Sequence, residues 1–426
     1  MPLPNSRSMS GSISASLICL LALGHCAAFA DRNLPAVAAP LLKSDLGLSD
    51  AQLGVLDGPA FVLLYVVGML ASWPLASSRH RFRLLAGCVA LWVLGMAAFA
   101  LGQSFGVLVA ARALVGLGQA AFVPLALGLI VEGSAPQWRA RSMAVFTAAA
   151  AVGRSVALLG GGAALALLAR WVPALGLAHW RLLFLLMAAP NLILMRMLLR
   201  RAEWSPAAAP PVAIPGQILA AFRRRPGLIC TYFCGAGASV LIVQTIGAWA
   251  PSVLHREEGL VPATAALVFG AALLVTAPLG HLIAGILVDM RRKKLTPMVV
   301  VAGALLLTVP LLWAVLRASS AAACGFLTLT YLVGDVAAVA ALAGLPSILP
   351  APLRDAGLRL FLAFITVLGV GLGPFFAGLI SDGIGMGGRG LSTALYLVCA
   401  GAAAFGIVSA LLARAGWRGA VVEAAG

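Results

Sequence analysis

The chain has 426 residues, 62% of them hydrophobic and only 10% charged. A water-soluble globular chain carries about 25% charged residues, so the composition excludes a soluble domain and fits a chain that crosses the bilayer many times. The net charge of +16 would suit nucleic-acid binding in a soluble protein, but the basic residues sit between apolar segments, and nucleic acid is not expected as a partner.

A spanning helix needs about 20 mainly apolar residues. Twelve such segments follow one another at 14–42, 50–76, 82–103, 105–132, 139–168, 179–199, 226–254, 262–289, 296–316, 320–348, 356–381 and 391–413. The first carries Asp31 and Arg32 side by side near its middle, with His25 a turn and a half earlier. It is followed at once by polar residues without a convincing cleavage site, so it reads as a retained helix rather than a signal peptide. The second segment carries Asp57, the fourth Arg112 and Gln119, the fifth Arg154 and the tenth Asp335. Between the sixth and seventh lies Glu203-Trp204-Ser205-Pro206, a Pro/Ala-rich stretch and then Arg223-Arg224-Arg225. This divides the chain into an N-terminal six-helix half (1–203), a linker (204–225) and a C-terminal six-helix half (226–426).

Basic residues concentrate in loops on the cytoplasmic side of a membrane. With both termini on one face, that face holds 20 of the 29 basic residues and the other holds six. The expected topology is therefore cytoplasmic N- and C-termini and a cytoplasmic linker.

A charge at bilayer depth costs roughly 2.5–3.5 kcal/mol on insertion scales, and such residues are functional candidates by default. Asp31, Asp335 and Asp57 are candidates for carrying a coupled proton. Arg32, Arg112, Gln119 and Arg154 are candidates for substrate contact or charge pairing, because a guanidinium holds a carboxylate or phosphate bidentately. For each, a static ion pair, a helix-packing face or a solvated wall is the competing reading. His25 reads as a relay or as a packing residue. Trp249 reads as a cavity wall or an interfacial aromatic. The run Gly369, Gly371, Gly373, Pro374 reads as a bendable, closely packed helix. At the end of the eighth segment Gly285 permits close helix contact, and Asp289 with Arg291 and Arg292 forms a candidate conformational latch.

Several classes find no support. The seven cysteines lie in apolar segments with no metal or disulfide spacing. There is no Gly-x-Ser-x-Gly or Asp-x-x-Asp constellation for an enzyme, and no Walker loop for direct use of ATP. Neither a cofactor nor a metal is expected. The reading is a multi-pass carrier, working as a monomer in the lipid bilayer, with a small molecule and protons as its partners.

Particular stretches resemble a known family. Asp31-Arg32-Asn33-Leu34-Pro35, Ser44-Asp45-Leu46-Gly47-Leu48-Ser49-Asp50-Ala51-Gln52, Arg112 to Ala120, Gly247-Ala248-Trp249-Ala250-Pro251 and Gly369 to Asp382 resemble the Spinster-like branch of the major facilitator superfamily. The link Gly285 to Lys294 resembles the superfamily's signature loop, whereas the loop after the second segment has Ser77 where the acid is expected. The resemblance implies two halves rocking about a mid-membrane site, proton-linked transport, and a bacterial inner-membrane location. Animal members move lysolipids or sphingoid lipids, so a small amphiphilic or anionic solute is expected. Gln119 stands where the family often has an acid, and Arg154 where it has a small residue. These departures keep open a proton-independent anion antiporter or facilitator, with a membrane-embedded lipid-modifying enzyme less favoured. The sharpest expectation is that Asp31 works with Arg154 or Asp335 across a central cavity.

Overall fold

The computed structural model describes residues 15–72, 75, 78, 80–171, 177–201, 222–290, 296–350, 353–385 and 388–425. Among them twelve helices are long and apolar enough to cross a membrane. They are α1 (Ala15–Leu46), α2 (Asp50–Ala71), α3 (Arg81–Leu101), α4 (Phe105–Gly133), α5 (Gln137–Trp171), α6 (His179–Leu199), α7 (Pro226–Arg256), α8 (Pro262–Asp289), α9 (Pro297–Val315), α10 (Ser320–Ile348), α11 (Ala356–Ile384) and α12 (Gly390–Trp417). In hydrocarbon every backbone polar group needs a partner within the chain, and helices supply it segment by segment. Most of the expected linker, Ser77, and Arg291 and Arg292 of the expected latch lie outside the described residues. Asp289 is exposed at the end of α8. Gly285 has open space beside it, so the close helix contact expected there is not made.

Two helices are broken where they face one another. A capping box starts α2: Gln52 N–H donates to Ser49 Oγ (3.2 Å) and Ser49 N–H donates to Gln52 Oε1 (2.9 Å). The helix then breaks at Gly58 (φ −108°, ψ −97°), directly before Pro59, which has no N–H to continue the ladder. Opposite, α11 relaxes into a π-helical stretch over Thr366–Leu372 before Gly373-Pro374. Gly58 lies against the Gly371 carbonyl with no room for a Cβ.

Helices α1 to α6 pack chiefly among themselves, α1 on α5 and α3 on α4 and α6. Helices α7 to α12 do likewise, α7 on α12 and α10, α9 on α10 and α12. The two sets meet along α2–α11, α5–α8 and α1–α7. Close backbone approaches that join them include Gly54 and Gly58 with α11, Gly378 with the Asp50 backbone, and Gly162 and Gly270 across α5–α8. These lie between mid-membrane and the face remote from the termini. The bundle is therefore sealed on that remote face.

The same clamp closes the remote end of each set. Arg181, at the start of α6, donates to the Ala100 and Gly102 carbonyls at the end of α3 (2.9 and 2.6 Å) and lies 3.6 Å from Asp45 at the end of α1. Arg389, just before α12, donates to the Val315 and Ala318 carbonyls after α9 (2.7 and 2.6 Å) and lies 3.2 Å from Glu258, just past α7. Orphan carbonyls at helix ends need such donors.

Candidate functional site

Neighbouring residues on a helix point about 100° apart, and this separates Asp31 from Arg32. Asp31 is 2% exposed and turns into the first set of helices, where Asn191 of α6 donates to its Oδ2 (2.7 Å). The expected direct partnership with Arg154 or Asp335 is not formed. Arg32 turns towards aromatic rings. Its guanidinium carbon lies 4.7, 4.4 and 4.7 Å from the ring centres of Phe29, Phe61 and Tyr65. Its Nε has no acceptor among the described residues. A guanidinium stacked on rings keeps its in-plane donors free for an incoming acceptor.

Arg112, on α4, is 1% exposed. It donates from Nε to the Leu56 carbonyl (2.9 Å) and from Nη2 to the Arg32 carbonyl (3.1 Å). It thus ties α1 to the end of the first segment of α2, where the backbone ladder stops. Its Nη1 lacks an acceptor among the described residues. One helical face below, Gln119 donates to the Ala28 carbonyl (2.9 Å). Gln119 therefore holds α4 to α1, as a packing face would. Asp57 is half-buried at the break of α2, beside a cavity of about 10 Å³ lined in part by Pro35, Leu56 and Trp249. That is room for about one water.

Arg154 crosses between the two sets. From α5 it donates through Nη1 to Tyr331 Oη of α10 (3.2 Å) and through Nη2 to Gln244 Oε1 of α7. It is 5% exposed, and no carboxylate is within ion-pair distance among the described residues. Asp335, one turn after Tyr331, lies within 3.1 Å of His281 Nδ1 on α8. His25 donates to or accepts nothing ionisable: its Nδ1 meets the Phe146 carbonyl (2.8 Å) and its ring stacks on Phe146, which is a packing role. Trp249 is 2% exposed and donates to the Pro374 carbonyl (3.0 Å). It ties α7 to α11 and, beside Asp57, forms part of the wall of the small cavity there.

A second polar cluster, not anticipated from sequence, locks the remote face. Asp50 accepts two hydrogen bonds from Arg256 (2.6 and 2.7 Å), one from Lys43 (2.5 Å) and one from Ser381 (2.7 Å). The Asp382 carboxylate accepts from the Asp50 and Ala51 N–H groups at the start of α2 (2.9 and 2.8 Å). An anion there satisfies the free N–H groups and the helix dipole together. The capping box Ser49-x-x-Gln52 was the available signal that a helix starts at Asp50 and that its N–H groups need an acceptor.

A twelve-helix bundle with buried, uncompensated charge at its seam is the form of a membrane carrier. The family model described as Major Facilitator Superfamily matches residues 21–352, and the chain belongs to that superfamily. It is 30% identical to an MFS-type efflux pump of Mycolicibacterium smegmatis over 95% of this chain and 94% of the relative. It is 27% identical to a 3-(3-hydroxy-phenyl)propionate transporter of Escherichia coli over 93% and 96% of the two chains. Its fold superimposes on a bacterial homologue of the human lysosomal transporter Spinster, in an inward-facing, unoccupied conformation, with TM-score 0.81, 21% identity and 99% coverage of both chains. The chain is also 25% identical to human protein spinster homolog 1 over 66% of this chain and 55% of the relative, so the resemblance to the Spinster-like branch holds, and the chain is a multi-pass transporter of the bacterial inner membrane rather than an enzyme.

Proposed function

We propose that this transporter moves a small amphiphilic organic anion by proton-coupled alternating access, with the terminal face cytoplasmic and open in the present conformation. The observation that carries the reading is the charge balance at the seam. Arg154 meets only neutral oxygens, and Arg32 and Arg112 each keep a nitrogen without an acceptor. A carboxylate arriving from the open side would satisfy those donors, and the rings around Arg32 would take an apolar body. The E. coli relative's named substrate, an aromatic propionate, has this combination.

Asp31 is the proton acceptor in this reading. It is fully enclosed with one amide donor, so its charge state depends on small movements of Arg112 and Asn191 around it. The orientation is supported by the fate of the basic residues on the remote face. Of the six, Lys43 and Arg256 share Asp50, Arg181 faces Asp45 and Arg389 faces Glu258, so three acids offset most of their charge. The excess positive charge thus belongs to the terminal face, as the positive-inside rule requires of the cytoplasmic side. One observation favours proton-independent exchange instead: Gln119, where an acid is expected, is occupied in holding α1.

The test is transport of labelled 3-(3-hydroxyphenyl)propionate into proteoliposomes, with and without a pH gradient. Wild type should accumulate the probe only with the gradient. Arg154→Ala should raise the half-saturating concentration at least tenfold, and Asp31→Asn should lose accumulation while retaining exchange. No uptake by the wild type refutes the substrate class. Unchanged affinity in Arg154→Ala removes the anion clamp, and gradient-driven uptake unchanged in Asp31→Asn selects the proton-independent alternative.

A further inference from the structure

We infer that His281 and Asp335 form a second proton-binding site, in the C-terminal set of helices, whose occupancy decides whether the terminal face can close. The inference rests on the alternating-access reading and adds a site to it.

The geometry fixes the tautomer. His281 Nδ1 lies 3.0 Å from the Ala277 carbonyl and 3.1 Å from Asp335 Oδ2. Both neighbours are acceptors, so Nδ1 carries a hydrogen. The N–H points to the carbonyl, which leaves Asp335 Oδ2 buried without a hydrogen-bond donor among the described residues. A buried carboxylate oxygen beside an imidazole, with no donor of its own, is a place for a proton. Nε2 is the free basic atom of the pair. The His281 side chain is 46% exposed against 11% for Asp335, so protons reach the site through His281.

The direction of that exposure matters. Ala263 and Gly270 of α8 are the contacts with α5 on the sealed side. His281 follows Ala263 by 18 residues and Gly270 by 11, close to five and three whole turns at 3.6 residues per turn. His281 therefore lies on the stripe that faces α5, towards the terminal face, which the alternating-access reading takes as the open one. On α5 the matching stripe runs from Leu158 back through Arg154, Ala151, Thr147 and Ala144. Arg154 is held by Tyr331 and Gln244, and none of the residues beyond it towards the terminal face carries charge.

Closing the terminal face would bring that apolar stripe over His281. Helix α9 has no ionisable side chain over Pro297–Val315, and those of α7 lie towards its two ends. The remaining neighbours are Tyr331 on α10 itself and, through its hydroxyl, Arg154. With neutral imidazole and ionised Asp335, closure buries a carboxylate whose Oδ2 has no hydrogen-bond donor among the described residues. One proton taken up at Nε2 makes the pair neutral overall, whether it stays on the imidazole or passes to the carboxylate, and the penalty is removed. Because Tyr331, one turn from Asp335, accepts from the Arg154 anion clamp and feels the Asp335 charge, loading of the two sites is linked.

The experiment measures the α5–α8 distance on the terminal side by electron–electron double resonance, using spin labels on noncanonical residues at the exposed positions 148 and 286, without substrate. Between pH 9 and pH 5 the short-distance population of wild type should rise at least tenfold. Asp335→Asn, close to isosteric, should show the short population at both pH values. His281→Gln should lose the pH response, and Asp31→Asn should keep it. A pH response unchanged in both Asp335→Asn and His281→Gln, a wild-type ratio insensitive to pH, or a response lost in Asp31→Asn alone overturns the second site. A distribution with one population under every condition sinks the alternating-access reading along with it.

Discussion

Replacing Asp50 by Asn should unlock the remote face. Only contacts that cross between the two helix sets affect the balance between closed and open states. Lys43 sits with Asp50 in the first set, so its 2.5 Å bond is common to both states and drops out. The crossing contacts of the Asp50 side chain are the bidentate Arg256 pair and Ser381, and the backbone bonds to Asp382 stay in the variant. Asn removes the charge and presents an amide N–H₂ to the guanidinium, so one Arg256 bond is lost and the other weakened. Hydrogen bonds to charged groups contribute about 1.5–3 kcal/mol each. Arg256 is 21% exposed, so water reduces the loss, and about 2 kcal/mol is a fair figure. At 1.4 kcal/mol per tenfold the closed-to-open ratio should fall roughly 30-fold. Spin labels at positions 44 and 261, one in each set near the remote face, would report a new long-distance population. An unaltered distance distribution in Asp50→Asn would show that this cluster decorates the closed face without holding it.

Four other outcomes follow from the same contacts. Glu132→Gln breaks the bidentate pair with Arg81, whose side chain is 2% exposed; a loss of about 3 kcal/mol should lower the melting temperature in detergent, and an unchanged melt refutes it. Asn191→Leu strips Asp31 of its donor and should cost about 1–3 kcal/mol, with the double variant Asp31→Leu/Asn191→Leu recovering part of it; strict additivity in that cycle would deny the coupling. Gly378→Leu has no space against the Asp50 backbone and should hold the 44–261 distance long at every pH. A reporter fused after residue 426 should be active only as a cytoplasmic reporter, and periplasmic activity would invert the assigned orientation.

The twelve spans were legible because bilayer thickness imposes a length and a composition that few other constraints can mimic. The charges were legible as anomalies, but their partners were not. Asp31 looked like a group for Arg154 or Asp335 because sequence ranks residues by depth and not by azimuth. One residue of offset sends Asp31 to Asn191 and Arg32 to the rings. Asn191, Gln244, Tyr331 and Ser381 were overlooked because neutral polar residues raise no cost signal in a span. His281 was overlooked for a related reason: its meaning comes from a carboxylate 54 positions later. The glycine run of α11 was read as bendable, and it is the π-helical stretch Thr366–Leu372, whereas the break of α2 at Gly58-Pro59 has the same local chemistry and was passed over.

The paired arginine clamps bear on how the chain is assembled during synthesis. Arg181 reaches the end of α3 only once α6 is in place, and Arg389 reaches the end of α9 only once α12 is. Until then the carbonyls at those helix ends depend on water. Each set of six helices is thus completed by its own last member, using no residue of the other set. The first half can finish its rim while the second is still on the ribosome, and an interrupted chain released after α6 would leave the translocon with that rim already fastened.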